Sequence, residues 1–380
     1  MVKLGVSLTF VNLIMSKSIR SAVVIMAAVA GLSLSSQAAS AAESAAPATY
    51  VYVSNNISNN INVFRLDQKN GALSAVQTVD VGGTAVPMAL STTTRRLYVG
   101  VRTAPYHIAN FAIDPQDGKL SSLGDSPLSD SMAYLSLDLT GRYLFSASYG
   151  GNKFSINPVG ANGVAGAPLQ NLPTGPMAHS ILPSPDNHYV FGAVLGSDVW
   201  LRYKFDAESG KLSEQSTALA LPPHSGPRFF VYSPDQRFVY LTDELDGKLH
   251  VLAFDKEHNT VRLIQSVSLL PEGFTGKPWG SDVHVTPDGQ FLYTSERSSS
   301  TLSGYRIDHA TGMVNRIGVW PTETQPRGFN IASSGRYLLS VGEKSSHLSV
   351  YQIDADGSLK SIGRYPTGDG PNWISMADFN

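Results

Sequence analysis

The chain has 380 residues, 42% hydrophobic and 15% charged, which is ample for one sizeable core, and its 34 Gly and 22 Pro suit a fold of many short strands and turns. It has no cysteine, which excludes disulfides, thiolate metal sites and a cysteine nucleophile. A formal net charge of −2, with no basic run interleaved with aromatics, argues against nucleic acid as a partner.

The first element is a targeting segment. Lys17 and Arg20 precede the apolar run from Ala22 to Leu34, and Ala39 and Ala41 then stand at the spacing of an A-x-A cleavage site. The pattern predicts a signal peptide over residues 1–41, cleaved near Ala41, and a short linker over residues 42–47. The apolar run is too short for a comfortable membrane span, so the mature protein is expected in the periplasm or outside the cell. Met15 serves equally well as the start. Removing residues 1–41 takes away Lys3, Lys17 and Arg20 and brings the net charge from −2 to about −5.

From about residue 48 to the end the chain repeats itself. A strand triplet recurs at Tyr50-Val-Tyr, Leu97-Tyr-Val, Tyr143-Leu-Phe, Tyr189-Val-Phe, Phe238-Val-Tyr, Phe291-Leu-Tyr and Tyr337-Leu-Leu, at spacings of 47, 46, 46, 49, 53 and 46 residues. Alternation with period two inside each unit, and a unit long enough for four strands, predict an all-β, seven-bladed β-propeller of four-stranded antiparallel blades. Tight turns such as Ser233-Pro-Asp-Gln and Thr286-Pro-Asp-Gly precede the triplets. Pieces such as Asp117-Gly-Lys-Leu follow them as hairpins, with no strand-to-helix context for a phosphate loop. The first triplet has no strand before it and Asn372-Trp-Ile-Ser-Met-Ala has no triplet after it, so the two ends are expected to share a blade and close the ring.

The triplet then serves as a ruler. Ten residues before it, at the start of each innermost strand, stand Pro87, Ala133, His179, Arg228, Ser281 and Arg327. Six residues after its first position stand Asn56, Thr103, Tyr149, Leu195, Glu244, Arg297 and Glu343. Antiparallel neighbours bring both sets to one face of the ring, so His179, Arg228, Glu244, Arg297 and Arg327 are predicted to converge on one mouth of the channel. Such a cluster suits an anionic or strongly polar ligand. The blander alternative is an ion pair of Arg228 with Glu244, which leaves the other three unexplained. His224 stands just before the Arg228 strand and is a further candidate contact. His284, within Asp282-Val-His-Val, reads as a packed strand residue.

No G-x-S-x-G, H-E-x-x-H or EF-hand pattern occurs, and no His pair has metal-ligand spacing. Neither a metal nor another cofactor is called for, and any hydrolysis would use activated water, with Glu244 or His179 as base and an arginine at the developing oxyanion.

Several segments carry a resemblance over essentially the whole mature chain. Gly226-Pro-Arg with Ser233-Pro-Asp and Tyr240-Leu-Thr-Asp-Glu-Leu, Ala178-His-Ser with Ser184-Pro-Asp-Asn, Pro321-Thr-Glu-Thr-Gln-Pro-Arg-Gly-Phe-Asn, and Gly363-Arg-Tyr with Gly370-Pro-Asn-Trp together resemble the seven-bladed propeller lactonases. That family includes 6-phosphogluconolactonases, the nearer resemblance, and carboxymuconate cyclases. The resemblance implies a hydrolase acting on a sugar or sugar-acid lactone, with His179, Arg228, Glu244 and Arg297 catalytic and Arg327 as a further cationic contact. It also implies a small-molecule substrate and a chain acting as a monomer. Two departures stand out. The family carries His after the Gly-Pro-Arg arginine where this chain has Phe229, and a signal peptide points away from a cytoplasmic sugar phosphate. A non-catalytic binding or scaffold protein and a muconate-type cycloisomerase are the competing expectations.

Overall fold

Alternation is what gives each strand two packing faces, and in the computed structural model both faces are used. The structure describes residues 48–379; the expected signal peptide and linker lie outside the described residues. Within them, 28 strands form seven four-stranded antiparallel sheets, with one single-turn 3-10 helix at Leu195–Ser197. Among the described residues no helix is long and apolar enough to cross a membrane.

We number the blades from the one that holds the first described strand. Blades 2 to 7 each use four consecutive strands, whereas blade 1 joins the last strand, Pro371–Phe379, to the first, Ala48–Asn55, and the two after it. The expected ring closure is therefore present, running in register from Ala48 opposite Phe379 to Ser54 opposite Trp373, with a bulge before Asn55 meets Pro371.

Each triplet lies on the second strand of its blade, where successive residues face opposite neighbours. Tyr50 and Tyr52 pack toward blade 2, while Val51 and Val53 pack toward blade 7. Tyr240 packs toward blade 6, and Val239 and Leu241 toward blade 4. The hydrophobic core is thus seven seams between neighbouring blades, and each large side chain in a seam contributes about 1.5–3 kcal/mol by leaving water. Tyrosines also latch one blade to the next: the hydroxyls of Tyr52 and Tyr240 donate to the carbonyls of Gly118 (3.0 Å) and Gly312 (3.1 Å) in the hairpins of the following blade. This explains the Asp117-Gly-Lys-Leu piece. Gly118 has φ +72°, and a Cβ there would run into the ring of Tyr50.

The innermost strands start at the end where the second strands finish, as the ruler requires. Several of them start on a β-bulge, which places an extra residue and re-aims its side chain. Ala178 pairs with Val194 and Ser180 with Ala193, leaving His179 as the extra residue. Pro227 pairs with Asp243 and Phe229 with Thr242, leaving Arg228.

Candidate active site

Two bulged residues on neighbouring inner strands, together with the residue just past the second strand of blade 5, make the centre of the site. Arg228 is fully buried and donates from Nε to Glu244 Oε2 at 3.0 Å. Arg297 approaches the same oxygen with Nη2 at 2.7 Å, and His179 Nε2 stands 3.9 Å from it. Trp279 Nε1 donates to the other carboxylate oxygen, Oε1, at 3.3 Å. The Arg228–Glu244 ion pair exists, but it is one contact of a four-residue cluster drawn from blades 4, 5 and 6.

Backbone groups fix the rest. Arg228 Nη1 donates to Ser281 O at 2.9 Å, and Ser281 Oγ donates to Arg327 O at 2.7 Å, which ties blades 5, 6 and 7 at the mouth. Arg297 Nη2 also reaches Gly280 O at 2.9 Å, with its guanidinium over the Trp279 ring at 4.2 Å. Behind Glu244, the buried Asp243 accepts from or shares a proton with His250 Nε2 (2.7 Å), whose Nδ1 meets Ser266 Oγ (2.7 Å), so a three-residue brace fixes the strand end that carries Glu244.

Arg327 faces Glu343 at 3.9 Å, and Glu343 accepts from Gln325 Nε2 at 2.8 Å and Asn56 Nδ2 at 3.5 Å. Arg102, half-buried, donates to Ser131 Oγ at 2.7 Å and lies close enough to Arg327 and Glu343 to feel both charges. The ruler did not select Arg102 or Trp279. His224 is not drawn into the cluster: it is exposed on a turn at φ 68°, and its backbone N–H serves the Asp198 carboxylate.

Electrostatics sort these groups into roles. Burial opposes the Glu244 carboxylate, but Arg297 and Arg228 outweigh it and hold its pKa below the ordinary value. Burial, reinforced by Arg228, Arg327 and Arg297, pushes His179 well below the usual imidazole value, so this ring is neutral at neutral pH. Burial brings Arg297 down to about 10, which leaves it charged. His179 Nδ1 and Arg228 Nη2 are buried without a protein partner. Four arginines against two glutamates give the mouth a cationic surplus that suits an anion or a developing oxyanion.

Beneath this cluster Tyr134, Phe229 and Trp373 close the channel with a mutual edge-to-face arrangement, centroids 4.9 to 5.7 Å apart. Phe229, the departure noted in the sequence, stands edge-on to His179 at 5.2 Å and carries Arg228 over its face at 4.1 Å.

A family model described as "Lactonase, 7-bladed beta-propeller" matches residues 39–376. A 6-phosphogluconolactonase of Serratia proteamaculans is 38% identical, covering 86% of this chain and 98% of that protein, and one of Pectobacterium carotovorum is 40% identical over the same shares. Among solved structures, the periplasmic gluconolactonase of Pseudomonas aeruginosa superposes with a TM-score of 0.79 at 26% identity, covering 87% of this chain and 99% of that one.

Proposed function

Because the chain belongs to the seven-bladed β-propeller lactonase family, we propose that it hydrolyses a sugar lactone at the cationic mouth, as a carboxylic ester hydrolase. Relatives named 6-phosphogluconolactonase and gluconolactonase support this reading, and neither the scaffold nor the cycloisomerase reading draws support from them. The observation that carries it at the level of residues is a neutral His179 beside a Glu244 carboxylate already held by two arginines.

His179 takes the proton from water, and the water oxygen forms a bond to the lactone carbonyl carbon. The carbonyl π electrons move onto its oxygen, where Arg228 Nη2, the donor without a protein partner, meets the developing charge. The tetrahedral adduct collapses by breaking the carbon–ring oxygen bond, and imidazolium returns the proton to that oxygen. Glu244 stabilises the imidazolium from 3.9 Å and keeps both guanidiniums aimed inward. Arg327 and Arg102 hold an anionic substituent on the sugar, and the Trp279 indole, 37% exposed, flanks its apolar face.

Export completes the proposal: cleavage near Ala41 delivers the chain to the periplasm, and the name of the P. aeruginosa relative supports that address. Proton release from δ-gluconolactone and 6-phosphogluconolactone, above the spontaneous rate, tests the activity; no catalysed rate on either overturns it. Terminal sequencing of the protein from a periplasmic fraction should begin at Ala42, and a chain confined to the cytoplasm with Met1 or Met15 retained would overturn the export.

A further inference from the structure

The inner strands that supply the mouth with cations continue past the aromatic partition and line something of opposite character. Below Tyr134, Phe229 and Trp373 lies a cavity of about 370 Å³, inside the size range of small-molecule sites. It adjoins a wider vestibule of about 740 Å³ at the far end of the channel, with which it shares Tyr134, Leu182, Tyr232 and Trp373 as walls. No lysine or arginine lines either volume; the ionisable groups with carboxyl or imidazole side chains are Asp138, Asp282 and His284.

Asp138 is consumed by the fold, since it accepts from Tyr143 N, Thr140 N, Thr140 Oγ1 and Asn187 Nδ2 at 2.6 to 3.0 Å. Asp282 is different. It accepts only the N–H groups of Val283 (2.9 Å) and Phe329 (3.2 Å), and its one ion-pair partner among the described residues is His284, at 3.3 Å. Arg228 feels its charge from the mouth side, where it is already paired with Glu244. A largely buried carboxylate beside aromatic rings, with no cation lining its own cavity, is an incomplete electrostatic arrangement. Of the remaining polar lining, Asn330 is spent on Ile374 O and Ile331 N, whereas the buried Tyr232 hydroxyl has no protein partner.

We infer that this cavity is a second ligand site, for a small quaternary ammonium compound with an apolar body. Ring faces and a carboxylate attract such a cation, whose charge is spread over methyl groups that suit an aromatic wall. Arg228 already covers the mouth side of Phe229, so Tyr134, Tyr232 and Trp373 are the rings offered to the ligand. The site is separate from the lactone site, sharing with it only the partition.

The test is calorimetric titration of the purified protein with choline and benzyltrimethylammonium chloride, against 3,3-dimethylbutanol as the uncharged counterpart of choline and sodium chloride as the salt control. Saturable one-to-one binding is expected for both cations, at least about tenfold tighter than for the alcohol and at least about tenfold weaker in Asp282→Asn. Non-saturating heats, equal affinity for the alcohol, or an unchanged affinity in a folded Asp282→Asn protein overturns the site. The alcohol comparison on the unaltered protein decides the matter even where the variant fails to fold.

Discussion

At one end of the channel four arginines face two glutamates across a gap that a bulged histidine enters. At the other end, a few residues further along the same inner strands, Asp282 and the fold-bound Asp138 sit among aromatic rings and hydroxyl-bearing turns, and no arginine or lysine joins them. The switch happens within one strand: blade 6 runs from Ser281, whose carbonyl accepts from the Arg228 guanidinium and whose hydroxyl donates to Arg327 O, to Asp282 and His284, which line the far cavity. Propeller inner strands are short, yet each holds residues for both ends, so opposite electrostatic environments can sit on one scaffold element. What separates them is the Tyr134–Phe229–Trp373 layer, across which Arg228 still feels the Asp282 charge.

The comparison breaks most visibly at Glu244. Glu244→Gln removes the negative charge that two buried guanidiniums share, so it should abolish catalysed lactone opening and cost about 3–5 kcal/mol of stability; a denaturant melt beside the lactone assay reads both. Equal lactonase rates in the two proteins would sink the site. Next comes His179→Gln, expected to lower kcat/KM by about 10²- to 10⁴-fold with the fold retained. In the unaltered enzyme the acid limb of kcat/KM should lie below the ordinary imidazole value of about 6.5, because burial and three arginines keep the ring neutral. An acid limb at or above 6.5 would remove His179 from the role of base. Arg102→Ala should raise KM about tenfold for 6-phosphogluconolactone and little for δ-gluconolactone; an equal change for both would show that Arg102 supports the wall and not the anion.

The smallest effect is a pH dependence of stability. His179 has a folded pKa below its unfolded one, so the unfolded chain takes up the proton first and stability falls as pH drops below about 6.5. Glu244, also depressed, contributes stability that is present above about pH 4.3 and lost as pH falls through its folded value. His179→Gln should therefore flatten the melting-temperature curve between roughly pH 6.5 and 4.3 while leaving the steeper loss below it. A curve of unchanged shape would place the upper limb elsewhere.

Much of this was legible in the sequence, because a repeated triplet is a physical ruler: it marks the strand whose residues alternate between two seams. The ruler found His179 and Arg228 because bulges recur at the same offset in their blades, and Glu244 and Arg297 because each stands one residue past the second strand of its blade. It missed Arg102 by one residue. Thr103, at the expected position, is spent on Thr84 at the rim, so the inward role falls to the residue before it. It missed Trp279 because that residue belongs to the loop that lengthens blade 5 to blade 6, and the spacing of 53 where the others are 46 to 49 was the available signal. His224 was drawn in by proximity in sequence alone, and a turn with positive φ carries it into solvent. His284 did read as a strand residue, but which neighbour it faces depends on the partition below the mouth, which three separate blades build and no local pattern announces.

That partition takes one of its three rings, Trp373, from Pro371–Phe379, the strand that closes the ring. A chain clipped or arrested before Pro371 loses the inner wall of blade 1 and with it the divider of the tunnel. Proteolytic loss of residues 371–380 is then enough to merge the two compartments, while each of the other six blades keeps its four strands.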